Sequence, residues 1–342
     1  MSHDVITRRA ALAGAAATAA ALASRTARAA APDAVNVGFF VETKPTMIAK
    51  GEGWFDEGVG AKIAWTEMGS GADINTAIAA GGCDIGLSTG SAAAAAGIAQ
   101  GLPYKVVGIV DDIGPAEEMT VRVASAITAP QDFVGKKVAT PFGSTSHFRL
   151  LGFLKTNGLT ERQVTVLDMK PPAIVAAWSR GDIDAAYVWA PAKSKIMEDG
   201  GVAYKTYDKL DAAGYLIADL IIVRDGFAAE HPDAVAGFLK AYGRALAMYR
   251  SKPEAAAGIV AAQAGVTQAI ALADMKEYDF VPLAEQAVPA WLGGTPEEPG
   301  TFAQVLKRTA DFLVEQRSIK SAPDVATFQK AIDTQYLVKA AA

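Results

Sequence analysis

Short runs of β-branched and aromatic residues alternate with helix-forming stretches along most of this chain, and that alternation limits the folds open to it. Val35-Asn36-Val37-Gly38-Phe39-Phe40 reads as a strand, and Thr46 to Gly53 as a helix that Gly51 and Gly53 favour ending. A strand at Ala61 to Thr66, a helix at Gly71 to Ala80, a strand at Cys83 to Leu87, a helix from Ser91 and a strand at Tyr104 to Val110 continue the rhythm. Strands separated by helices predict a parallel, doubly wound sheet with helices on its faces. A second series begins near Met119. It has strands at Thr120 to Ala124, Val164 to Met169, Ala185 to Trp189 and Tyr215 to Val223, a short helix leading to a strand over Asp132 to Ala139, and helices from Ser144 to Lys155 and from Pro172 to Arg180. The remainder is mainly helical, with a Gly- and Pro-rich loop between Gly293 and Gly300.

One such unit, a second inserted into it and a return to the first predict an α/β protein of two lobes. The expected lobes are residues 32–118 with 224–342, and 119–223. A chain of 342 residues is long enough for two cores. Ligands of doubly wound sheets sit outside the carboxyl ends of the strands, so the cleft between the lobes is where function is expected.

Residues 1–31 read as an export signal. Thr7-Arg8-Arg9 precedes a weakly apolar, Ala-rich stretch, and Ala29-Ala30-Ala31 supplies small residues for cleavage after Ala29 or Ala31. The arginine pair is of the twin-arginine kind. The stretch is too short, too Ala-rich and too closely followed by Arg25 and Arg28 for a membrane span. The expected location is therefore the periplasm. A net charge of −5 argues against a nucleic-acid partner but leaves room for a locally positive pocket. Cys83, the single cysteine, excludes an internal disulfide and reads as a small buried residue at a strand start.

Four segments carry candidate chemistry. Leu87-Ser88-Thr89-Gly90-Ser91-Ala92 ends a strand in small hydroxyl residues and opens an Ala-rich helix. Thr89, Gly90 and Ser91 thus stand at a helix N-terminus, where backbone N–H groups and the dipole favour an anion. Thr140-Pro141-Phe142-Gly143 followed by Ser144, Thr145 and Ser146 repeats the arrangement in the second series. Ordinary capping explains either cluster alone; two, one from each lobe, can face a single oxyanion across the cleft. Pro171 to Ala192 contains a helix ending at Arg180-Gly181 and a strand that presents Trp189, as core or as pocket wall. Asp182 and Asp184 in the same segment read as a turn and a strand start. Asp219 is a lone carboxylate in the apolar run Tyr215 to Val223, costly unless paired. A ligand ammonium, backbone N–H groups or Arg224 are its possible partners.

Catalytic signatures are missing. The three histidines, His3, His147 and His231, form no HExxH, and the chain has no nucleophile elbow and no P-loop. His147 lies beside three hydroxyls, but capping accounts for that cluster. The expectation is a binding protein, not an enzyme, with no cofactor and no metal.

The segment Pro171-Pro172-Ala173-Ile174-Val175 through Tyr187-Val188-Trp189-Ala190-Pro191-Ala192, and the Pro141-Phe142 to Ser144-Thr145-Ser146-His147 segment, resemble the taurine-binding branch of the aliphatic sulfonate- and nitrate-binding proteins of ABC importers. The similarity runs from about Val35 to Val338 and is loosest after Lys252. It implies a type II periplasmic binding fold, a monomer, delivery to permease subunits and no catalysis. It also implies a sulfonate on the two hydroxyl-bearing helix starts, an amine on Asp219 and Trp189 lining the cleft. Phe40 stands where the family shows Gln, and Thr89-Gly90-Ser91 replaces its Gly-Ser-Ser. Glu42 and Lys44 are expected near the cleft mouth, where they bear on headgroup preference, so that the ligand is taurine or a relative such as another sulfonate, an aminophosphonate or a nitrate-like anion. The rival class is an enzyme on the same fold, of the kind that builds the thiamine pyrimidine. That enzyme needs a cysteine-rich iron motif and works in the cytosol, against which stand the one cysteine and the export signal.

Overall fold

Two mixed sheets of five strands each organise residues 31–341, the part of the chain that the computed structural model describes. The first holds β1 (Val35–Phe39), β2 (Ile63–Glu67), β3 (Ile85–Gly90), β4 (Tyr104–Asp112) and, from much later in the chain, β10 (Ala218–Arg224), in the order β2-β1-β3-β10-β4. The second holds β5 (Glu118–Arg122), β6 (Lys137–Thr140), β7 (Thr165–Asp168), β8 (Ala185–Val188) and β9 (Gly201–Tyr204), in the order β7-β6-β8-β5-β9. Each sheet has a parallel core, β2-β1-β3 in one and β7-β6-β8 in the other. Helices cover the sheets, so the central strands β3 and β8 are buried at every residue and read as continuous apolar or small-residue runs. This is the two-lobed type II periplasmic binding architecture.

The sheets depart from the all-parallel expectation in one strand each. β10 runs antiparallel to β3 and β4, and β5 antiparallel to β8 and β9. Both follow a crossover from one sheet to the other, between Asp112 and Glu118 and between Tyr204 and Ala218. A strand entering from the opposite lobe arrives from the cleft side and so runs against its new neighbours. The expectation carried the second lobe through Val223, but the strand ending there pairs in the first sheet, so the chain has already returned by Ala218.

Several elements had no counterpart in the reading of the sequence, among them the helices Ala192–Glu198 and Tyr207–Ala212. Gly53 was expected to close its helix, yet at φ +72° it turns the chain into another helix, Trp54–Val59. β9 lies at a sheet edge with Val202 45% exposed, so it lacks an apolar alternation. Cys83 is buried just before β3. Trp178 is fully buried and donates its indole N–H to the Asp199 carbonyl at 3.0 Å. Asp184 anchors a strand start, accepting from Ser125 Oγ at 2.6 Å and from the Lys137 N–H at 2.9 Å. The expected leader, apart from Ala31, lies outside the described residues. Among those residues, no single helix is long and apolar enough to cross a membrane.

Candidate functional site

Both crossovers pass one small cavity, of about 20 Å³, which lies where the two lobes meet. Phe40, Glu42, Gly90, Ser144, Thr145, Trp189 and Asp219 line it together with Gly71, Ser88 and Glu117. Thr89, Ser91 and Ser146 belong to the same segments but stand behind this wall, each buried.

Two helix N-termini close on each other here. The helix Ser91–Ala99 begins after Gly90, and the helix Thr145–Thr156 after Ser144. A Cβ on Gly90 would lie 2.8 Å from Thr145 Cγ2, so only glycine admits this approach. Ser144 caps its helix by accepting the His147 N–H at 3.1 Å, and donates its own hydroxyl to the Pro141 carbonyl at 2.6 Å. Ser91 Oγ accepts the Ala218 N–H at 3.2 Å, which ties the first helix to the start of β10. The hydroxyls of Thr145 and Ser146 point elsewhere. They donate to the two oxygens of Glu117, at 2.7 and 2.8 Å. What these termini offer an anion is therefore chiefly backbone N–H groups and the dipole.

The opposite wall is acidic. Asp219 forms an ion pair with Lys44, whose ammonium also meets Asp111 at 2.9 Å and Glu42 at 3.6 Å. Lys44 is 2% exposed and Glu42 likewise, so neither stands at the cleft mouth as expected; Glu42 lines the cavity and Lys44 is buried among Glu42, Asp111 and Asp219. Arg224, a possible partner for Asp219, pairs instead with Asp84 at 2.6 Å. Lys44 bonds Oδ2 of Asp219, and Oδ1 lies on the cavity side, 3.7 Å from where a Gly90 Cβ would be. Glu42 accepts from Ser88 Oγ at 2.6 Å and Thr46 Oγ1 at 2.7 Å. Ser88 does so from a left-handed backbone, φ +60°, a strained conformation for serine that the surrounding structure holds at the site.

Burial dominates the titration of these groups. It pushes Asp111 well above the usual carboxylate range and Glu42 and Asp219 above it, with Lys44 opposing. For Lys44 burial works downward, but Asp111, Asp219 and Glu42 outweigh it and hold the ammonium well above the usual lysine range. Glu117 is raised to about 7 by burial and then by the charge of Asp219, against its two hydroxyl donors.

Phe40 and Trp189 form an apolar wall, edge to face with ring centroids 5.8 Å apart. His147 stacks on Phe142 at 4.2 Å, and burial lowers it to about 4, so it is neutral at pH 7. The Ser144 hydroxyl bonds a carbonyl and not this imidazole. Glu117, Ser88 and Gly71 were not among the residues expected to line the site. The signal for Glu117 was the Glu117-Glu118 pair interrupting two apolar strands where the first series of elements gives way to the second.

The NMT1/THI5-like family model matches residues 41–256, a span that holds both crossovers and every cavity residue except Phe40. The chain belongs to the NMT1/THI5-like family. Within reach of this family is a taurine-binding periplasmic protein of Escherichia coli (strain K12), 39% identical over 45% of this chain and 47% of that protein. The matched stretch thus spans about half the length of that relative. The fold is similar to that of the alkanesulfonate-binding protein SsuA from Xanthomonas axonopodis pv. citri, solved bound to MOPS, with a TM-score of 0.74 at 22% identity over 90% of this chain and 100% of that one. It is also similar to the desulfurization enzyme DSZB, with a TM-score of 0.63 at 15% identity over 91% of this chain and 99% of that one. The NMT1/THI5-like fold therefore hosts both binding proteins and an enzyme, and the cavity must decide between them.

Proposed function

We propose that this chain is an exported solute-binding protein that captures taurine, or a close small sulfonate, in the cavity and delivers it as a monomer to the permease subunits of an ABC importer. One observation carries the reading: two helix N-termini and an excess of buried carboxylates face each other across a single small cavity. A zwitterion satisfies both walls. Its sulfonate meets the backbone N–H groups at Gly90–Ser91 and Ser144–Ser146, its ammonium meets Asp219, and its short carbon chain lies against Phe40 and Trp189. The names of the Escherichia coli and Xanthomonas relatives support this class of ligand, and the Arg8-Arg9 leader supports a periplasmic location.

Calorimetry with taurine and ethanesulfonate tests the reading, with product analysis after prolonged incubation. Taurine is expected to bind more tightly than ethanesulfonate and to be recovered unchanged. Asp219→Asn is expected to shrink the difference by about 10- to 100-fold, the range of one charge-assisted hydrogen bond. Absence of heat with either sulfonate overturns the proposal, and conversion of either one overturns the binding-only role.

A further inference from the structure

Phe40 and Trp189 border two hollows at once. On one side lies the cavity, of about 20 Å³; on the other lies a groove of about 610 Å³ between the lobes. Among the described residues, no others line both. The groove has a half-buried apolar lining that includes Val41, Met68 and Val175, and its charged side chains, Glu67, Lys170 and Lys195, are exposed. The two rings follow the carboxyl ends of parallel strands, Phe40 directly after β1 and Trp189 directly after β8, so one comes from each lobe. They meet edge to face at 5.8 Å and are 6% and 9% exposed. The partition between cavity and groove is therefore assembled where the lobes meet. On the Ser144 side the cavity is closed by close packing of small residues: a Cβ on Gly143 would stand 2.7 Å from the Ala72 Cβ. Side chains large enough to open a passage when truncated stand on the Phe40–Trp189 side.

We propose that Phe40 and Trp189 are specificity-determining residues that set the chain length of the ligand. The closed pair admits a sulfonate with a short tail and rejects longer unbranched ones, whose extra methylenes would have to pass between the rings and hold the lobes apart. This is selection by a built-in clash, which a close-packed wall imposes because it has no slack to give. The proposal rests on the reading of the cavity as a sulfonate site with the anion at the two helix starts, and it does not depend on an amine. Burying a methylene favours binding by about fourfold. A longer sulfonate that binds more weakly than a short one is therefore meeting a barrier. With the Phe40 ring gone, the same tail enters the groove and lies on Val41, Met68 and Val175.

The test is calorimetry with ethanesulfonate, butanesulfonate and hexanesulfonate, with taurine as the reference. Wild-type protein should bind hexanesulfonate at least about 10-fold more weakly than ethanesulfonate. Phe40→Ala should improve hexanesulfonate by about 10- to 100-fold over wild type, while ethanesulfonate, which loses its apolar wall, weakens. Trp189→Leu opens the partition from the other lobe and should move the same ratio in the same direction; it decides the matter if Phe40→Ala does not fold. Wild-type affinity that rises steadily with chain length overturns the proposal and leaves the sulfonate reading standing. So does a hexanesulfonate-to-ethanesulfonate ratio that both variants leave unchanged. If no sulfonate binds, taurine included, the proposed function falls and this proposal with it.

Discussion

Lys44 sets the electrostatics of the acidic wall. Its ammonium answers Asp111, Asp219 and Glu42, which come from three separated segments, and each of those carboxylates is held above its ordinary range by burial. Removing one partner of a buried pair leaves charge uncompensated at a cost of about 3–5 kcal/mol. Lys44→Met is therefore expected to lose stability of that order in urea denaturation at pH 7.5. The deficit should shrink at pH 5. A carboxylate whose folded pKa is raised stabilises the fold below its unfolded value and loses that contribution as pH rises through the folded value. With Lys44 gone the three acids titrate higher still, so acid relieves the variant more than the wild type. An equal deficit at both pH values would show that packing of the lysine stem, not its charge, is what matters.

At the level of elements, the two helix N-termini matter as a pair. Each is an ordinary capped start; only their approach through Gly90 and Thr145 makes a site. Gly90 has φ −57°, which alanine adopts without strain, so the one penalty of Gly90→Ala is the 2.8 Å contact with Thr145 Cγ2. Overpacking of this kind costs about 1–3 kcal/mol. The contact joins residues of the two lobes, so under the proposed function lobe closure on the ligand makes it and lobe opening relieves it. Taurine affinity should fall about 5- to 150-fold with the stability of the ligand-free protein nearly unchanged. Equal losses of stability with and without ligand would place the contact in both states.

Across the whole molecule, polar pairs link the lobes around the cavity. Lys170 reaches Asp73 at 2.7 Å, Ser194 donates to Asp274 at 2.7 Å, and Lys193 pairs with Glu277. Lys170 and Asp73 are 46% and 41% exposed, so water screens their attraction. Exposed pairs contribute about 1 kcal/mol at most. Lys170→Ala is expected to weaken taurine by less than about fivefold in calorimetry; a loss beyond that would make this pair, and not the buried walls, the main hold on the closed form.

The strand and helix alternation, the two helix starts and the aromatic at the end of β8 were legible because each is a local property. Periodicity, caps and turn residues act within a few positions, and Ser144 caps its helix with the N–H three residues on. Partnership over long separations was not legible in that way. Asp219 announced itself as a costly lone carboxylate, but its partner Lys44 lies 175 positions away, and Arg224, far closer in sequence, turned to Asp84. Thr145 and Ser146 read as free donors until the first crossover brought Glu117 onto them. The direction of β5 and β10 was likewise settled by the crossovers, which insert each strand between neighbours from the other side of the cleft. A residue's type says what it must satisfy when buried. Which group satisfies it depends on which strands become neighbours, and that is decided only when both sheets form.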